Sequence, residues 1–169
     1  MNDYNIDVIR TKYALVPRTL VFINKGEKVL MIKKQIKESF GYGKINGVGG
    51  HIEKGEEPYE AAIREVREET AMTVKNMDMV AVVFIDIKDI PGILLFVFRA
   101  DHEAGDLIES TEGELIWMSR SEISTNDLVL GDIPYLIELC DIYEHGKMPQ
   151  ILKYIYDRND NLRIVKRTY

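Results

Sequence analysis

Two near-continuous apolar runs, Leu20-Val21-Phe22-Ile23 and Lys28-Val29-Leu30-Met31-Ile32, flank the turn signal Asn24-Lys25-Gly26-Glu27. The pattern predicts a hairpin whose strands are covered on both faces. Before it, residues 1–17 are weakly patterned, with Pro17 marking the end of an N-terminal extension. After it, residues 33–50 are basic and then glycine-rich; alone they read as a solvated loop, and the functional alternative is a substrate-facing loop that brings backbone close to a ligand. Apolar positions at helical spacing then predict a helix from Pro58 to Thr70, with Pro58 in the first turn, where its missing N–H is harmless. Thr73 to Ile87 and Gly92 to Ala100 are predicted strands around the turn Ile90-Pro91-Gly92, and residues 101–113 an acidic loop. Leu115-Ile116-Trp117-Met118 is a short strand and Ser121-Glu122-Ile123 a helical turn. A helix is expected from Ile133 to His145, closed at Gly146. Gln150 to Asp157 and Leu162 to Lys166 predict a terminal hairpin around Arg158-Asn159-Asp160-Asn161. With no repeat or linker, residues 1–169 are expected to form one domain, the hairpin of residues 150–167 included.

Composition narrows the function. The chain is 46% hydrophobic and 30% charged, as for ordinary globular proteins, and its net charge is −6. That balance disfavours duplex nucleic acid as a partner. No apolar run approaches the about 20 residues that span a bilayer, and no signal pattern opens the chain, so cytoplasmic residence is expected. The single cysteine, Cys140, sits in an apolar run and reads as a core residue.

The chemistry concentrates between Gly49 and Met72. A helix advances about 100° per residue. With Ala62 at zero, Val66, Tyr59 and Ile63 span about 40° to 100° as an apolar face, while Glu68, Glu65 and Glu69 occupy a separate arc of about 100°. Arg67, Glu60 and Arg64 fill the outward side. Glu65 and Glu69 repel at this spacing by about 0.2–0.5 kcal/mol in an isolated helix, and a cation between them reverses that sign. All-oxygen donors suit Mg²⁺ or Mn²⁺ rather than zinc. The helix alone reads first as a solvated face of Glu–Arg pairs; the preceding Gly49-Gly50 turns the reading toward a metal or phosphate site.

From Gly50 the chain resembles the Nudix box, Gly-x5-Glu-x7-Arg-Glu-U-x-Glu-Glu-x-Gly-U, with U bulky and apolar. Gly50, Glu56, Arg64, Glu65, Val66, Glu68, Glu69 and Met72 match, and Ala71 stands where the family has glycine. The resemblance implies an α/β (α+β) fold with a mixed sheet sandwiched between helices, and Mg²⁺-dependent hydrolysis of a nucleoside diphosphate derivative. It implies the Gly49 carbonyl, Glu65, Glu68 and Glu69 as metal ligands, Glu65 as general base, and Arg64 and Glu56 as orienting groups. Outside the box the chain is similar to the family's MutT-type branch, which acts on oxidised purine nucleotides such as 8-oxo-dGTP. That similarity implies Asn46 as a base reader, Phe40 as a pocket wall, Lys33 near the phosphates, and Glu112 as a further catalytic and metal-binding carboxylate. Asp132 corresponds to one of two adjacent aspartates that read the purine edge, with Gly131 replacing the other.

Several of these residues also have plainer readings. Asp132 suits an N-cap, Asn46 a turn, Phe40 and Trp117 the core, Lys33 a solvated strand end, and His51 the surface. ADP-ribose and dinucleoside polyphosphate hydrolases carry a proline or tyrosine about fifteen residues beyond the box, and residues 86–90 have neither, although ordinary nucleotides stay open as substrates. A nucleotide-binding module without catalysis would have no use for intact Glu65, Glu68 and Glu69.

Overall fold

The computed structural model describes residues 12–37, 41–87, 91–108, 110–156 and 162–167. Strand β1 (Leu15–Lys25) turns at Gly26-Glu27 into β2 (Lys28–Lys34), and a two-residue strand β3 (Ile45–Asn46) follows. Helix α1 (Pro58–Thr70) leads to β4 (Thr73–Ile85), β5 (Gly92–Ala104) and β6 (Gly113–Ser119). Helices α2 (Arg120–Thr125) and α3 (Ile133–Ile142) precede the hairpin β7 (Gln150–Tyr156) and β8 (Leu162–Lys166). The turn of that hairpin and Ile90 lie outside the described residues.

All eight strands join one mixed sheet, in the order β3-β2-β1-β5-β4-β7-β8, with β6 on the other edge of β2. β1 runs parallel to β5, and β7 parallel to β4. Alternation along β1 divides the core between the two faces. Val21 and Ile23 pack with Ala62 and Val66 of α1, whereas Leu20 and Phe22 pack with Leu136, Ile137 and Cys140 of α3. The mixed sheet with helices on both faces matches the expected architecture.

One departure from regular pairing places the site. β1 and β2 pair only at their turn end, from Ile23 to Lys25, and then part. Residues 48–52 fill the opening: Val21 N donates to Val48 O, Thr19 N to Gly50 O, and Ile52 N to Pro17 O. The glycine loop is therefore held by backbone hydrogen bonds along the edge of β1.

Some expected boundaries move. β1 begins at Leu15 and contains Pro17, whose carbonyl serves the sheet although its nitrogen cannot. Lys33 and Lys34 belong to β2, and residues 101–104 extend β5 by pairing with the start of β4. Helix α3 stops at Ile142 rather than at His145, because Arg99 reaches over to cap the Cys140 and Tyr143 carbonyls at 3.1 and 3.0 Å. Cys140 is buried, and burial pushes its thiol up to about 12. Among the described residues no helix is long and apolar enough to cross a membrane.

Candidate active site

Helix α1 carries most of the charged groups, and local chemistry fixes both of its ends. Glu57 caps it through reciprocal bonds with Glu60, at 2.9 and 3.0 Å, and Pro58 opens the first turn. At the other end Ala71 takes the left-handed conformation, φ 54°, where the box has glycine, and its N–H closes on Arg67 O. The buried face is Ala61, Ala62, Val66, Glu69 and Thr70. It is rotated from the apolar face expected from sequence: Ile63 and Tyr59 stay exposed, and Glu69 faces inward. The core stripe and the carboxylate arc therefore overlap at Glu69, which is only 4% exposed.

Lys34 explains how that position holds a carboxylate. Its Nζ lies 2.8 Å from Glu69 Oε1, itself buried, and 3.5 Å from Glu112 Oε2. The Gly49 N–H donates to the other Glu69 oxygen at 2.9 Å. Burial raises the Glu69 pKa, and Lys34 and the Gly49 amide oppose that rise without cancelling it.

Arg64 organises the remaining carboxylates. It grips Glu56 with two bonds, at 2.6 and 2.9 Å. It also donates to Glu65 Oε1 at 2.9 Å, Glu68 Oε2 at 3.0 Å and the His51 carbonyl at 2.9 Å. The guanidinium holds Glu56 at about 2, far below the ordinary carboxylate range. Among the described residues Glu65 Oε2 has no donor. The Glu65 carboxylate lies against the α-carbon of Gly50, where a Cβ would come within 2.5 Å of Oε1. Gly49, at φ 143°, is confined in the same way, since a Cβ there would run into the Thr19 carbonyl. Glu65 and Glu69 thus meet the glycine loop from the helix side.

These groups suit a hard divalent cation. The donors are all oxygen, and the Gly49 carbonyl accepts no hydrogen bond among the described residues. The described acidic, histidine and cysteine side chains do not already form a cage of three. Arg64 and Lys34 hold the carboxylates apart, so a metal ion would draw Glu69 from Lys34.

A cavity of about 1140 Å³ opens beside the loop. Its floor is the α3-side face of the sheet: Arg18 and Leu20 of β1, Ile93 and Leu95 of β5, Ile85 of β4, and Tyr154 of β7. Gly49 and Lys34 border one part, and Asn46 and Asp132 also line it. Asn46 fixes Oδ1 on the Gly47 N–H at 2.8 Å, which leaves its amide N–H groups as donors. Asp132 occupies the N-cap position of α3 but makes no capping bond, so that plainer role is not the one it takes. Burial raises its pKa. Tyr154, 1% exposed, lies beside it; the two groups influence each other's ionisation, yet among the described residues no hydrogen bond of ordinary geometry forms at the Tyr154 hydroxyl. A smaller cavity of about 650 Å³ beside Tyr13, Phe84 and Lys153 contains none of the expected site residues.

The structure brings together Gly49, Glu56, Arg64, Glu65, Glu68, Glu69 and Glu112, and sets Asn46 and Asp132 in the adjoining cavity. Lys33 does not line the cavity; Lys34 does. Phe40 lies outside the described residues, and His51 is exposed. Sequence reasoning missed Arg18, Lys34 and Tyr154. Only strand alternation could have found them, and continuous apolar runs hide which face is which.

Comparison with known proteins gives a consistent picture. The NUDIX domain model matches residues 14–139. A Mus musculus protein named oxidized purine nucleoside triphosphate hydrolase is 30% identical over 143 residues, covering 80% of this chain and 90% of that protein. A Danio rerio protein of the same name is 34% identical over 116 residues, covering 68% and 73%. Among solved structures, a mutator MutT protein from Bacillus halodurans superposes with a TM-score of 0.69 at 26% identity, covering 89% of this chain and 97% of that one.

Proposed function

The chain belongs to the NUDIX family of hydrolases, and from that premise we propose that it is a nucleoside triphosphate pyrophosphohydrolase for oxidised purine nucleotides. 8-oxo-dGTP is the substrate we assign, with the monophosphate and pyrophosphate as products. One observation carries this reading: a single cavity runs from the carboxylate-bordered glycine loop to Asn46 and Asp132. A nucleotide would lie there with its phosphates at Gly49 and its base at Asp132. Asn46 would donate to the base edge, and Asp132, with its raised pKa, can present either a proton or a lone pair. The relatives named as oxidised purine hydrolases support the same choice.

The family's hydrolases generally use divalent cations; we assign Mg²⁺, with Mn²⁺ as a substitute, from the oxygen-only donors Gly49, Glu65, Glu68, Glu69 and Glu112. Bound there, the cation would offset phosphate charge and polarise the attacked phosphorus. Glu65 is the base that takes the proton from water: Arg64 fixes one of its oxygens and leaves the other free. Arg64 and Glu56 keep that carboxylate aimed.

A kcat/KM panel with Mg²⁺ tests the proposal, over 8-oxo-dGTP, 2-hydroxy-dATP, ordinary NTPs and dNTPs, ADP-ribose and diadenosine polyphosphates. We expect 8-oxo-dGTP to lead. A preference below about tenfold, worth only about 1.4 kcal/mol, would sink the substrate assignment. Binding without pyrophosphate release would sink the catalytic roles.

A further inference from the structure

Among the described residues Arg64, Lys34 and Arg18 border the carboxylates, and the first two are already committed. Arg64 bonds Glu56, Glu65, Glu68 and the His51 carbonyl, and Lys34 bonds Glu69 and Glu112. Arg18 differs. It is half-buried, lines the cavity, and among the described residues its side chain makes no hydrogen bond and no ion pair. Glu65, Glu69 and Glu112 act on its charge from a distance, while burial disfavours that charge. A guanidinium carries five N–H donors and no acceptor, and its fork matches two oxygens of a phosphate. Holding those donors partly out of water without partners is unfavourable unless a ligand supplies them.

Its place on the sheet says which part of a ligand it meets. Arg18 neighbours the glycine loop, bridging His51 across β1's edge, and the next residue, Thr19, bonds Gly50. It also shares the cavity floor with Leu95 and Tyr154. From β1 to β7 the floor crosses three strand spacings, about 14 Å, the scale of a nucleoside monophosphate. A nucleotide extending from the carboxylates toward Asp132 would share this cavity with Arg18.

We propose that Arg18 is a substrate-binding residue that grips the phosphate attached to the nucleoside, the one retained in the monophosphate product. This rests on the nucleotide reading above. Arg18 acts independently of the metal ion, so its contribution persists without one.

The test measures 8-oxo-dGMP and its nucleoside binding to parent, Arg18→Gln and Arg18→Lys proteins in EDTA, by titration calorimetry. The expected result is a fall of about tenfold or more in the monophosphate-to-nucleoside affinity ratio for Arg18→Gln, with nucleoside binding unchanged. Arg18→Lys restores part of the ratio, as a point charge without the fork. An unchanged ratio, or equal loss for both ligands, overturns the proposal. A second readout needs no variant: 8-oxo-dGMP should slow phenylglyoxal modification of Arg18, followed by mass spectrometry, and the nucleoside should not. Repeating the ratio with dGMP and deoxyguanosine separates the two readings. If oxidised and ordinary nucleosides bind alike, the base assignment fails, while the ratio still judges Arg18.

Discussion

Replacing Lys34 by methionine should destabilise the metal-free protein more than almost any other single change near the site. Lys34 and Glu69 are both buried, and their closest atoms are 2.8 Å apart. Removing one member of such a pair strands the other, at a cost of about 3–5 kcal/mol. The Gly49 amide still serves Glu69, so the lower end, about 3 kcal/mol, is expected. For a chain of this length that lowers Tm by roughly 6–12 °C. The loss has a defined pH dependence. The Glu69 pKa is raised on folding, so its contribution to stability falls as pH rises from the ordinary carboxylate value through the folded one. Without Lys34 that folded value climbs further. The variant's deficit should therefore be small near pH 5, grow with pH and level off above the new value. Urea unfolding in EDTA at pH 5 and pH 8 measures it. Adding Glu69→Gln should recover most of the loss, because the stranded charge is gone. Saturating Mg²⁺ should also narrow the gap, since Glu69 is then free for the cation. A Lys34→Met protein within about 1 kcal/mol of the parent at pH 8 in EDTA would refute the account of the pair.

Other substitutions probe separate links. Gly50→Ala would push the Glu65 carboxylate, because its Cβ would lie 2.5 Å from Oε1. We expect kcat/KM to fall about 100-fold, with little change in urea midpoint. Glu65→Gln keeps the shape and removes the proposed base, so single-turnover hydrolysis should slow by at least about 100-fold while nucleotide binding persists. Ala71→Gly should raise Tm by a degree or more: the left-handed conformation at φ 54° costs alanine about 1–2 kcal/mol, and glycine's extra freedom when unfolded returns only part of it. Gly131→Asp should sharpen the preference for 8-oxo-dGTP over dGTP in the kcat/KM panel, because an added side chain at this cavity-lining position meets nothing within 4 Å.

What was legible in the sequence follows how local each cause is. Helix α1 runs from Pro58 to Thr70 as read, because its start signal and its periodicity lie within the segment itself. The turn at Gly26 and the terminal strands were local in the same sense. The start of β1 was missed because Pro17 reads as a break, and only the loop at residues 48–52 shows that its missing N–H is tolerated. The rotation of α1 was missed for a longer-range reason. Burying Glu69 rather than Ile63 depends on Lys34, on a strand 35 residues earlier. Lys33 and Lys34 could not be told apart because four consecutive apolar residues precede them, and an all-apolar strand does not reveal which face its ends present. Arg18 was hidden by the same ambiguity in β1. Asn46 and Asp132 came from family resemblance; the structure adds that the Gly47 amide holds the Asn46 oxygen and that Asp132 makes no capping bond.

The charges also explain why the chain can assemble such an acidic site before any cation arrives. Arg64 and Lys34 between them bond Glu56, Glu65, Glu68, Glu69 and Glu112, two cations for five carboxylates, and Arg18 stands near as a third. Three positive against five negative groups leaves an excess of two, the charge of one divalent ion. The two bonded cations have opposite consequences for its entry. Arg64 holds its partners where they are needed, since it leaves one oxygen of Glu65 free, and it need not move. Lys34 spends the position at Glu69 that the ion would take, and so trades stability of the empty site against affinity for the metal. Lys34→Met should therefore fold less stably yet bind Mg²⁺ more tightly. Arg64→Met should lose both together, because it removes the order of the carboxylates and puts nothing in its place.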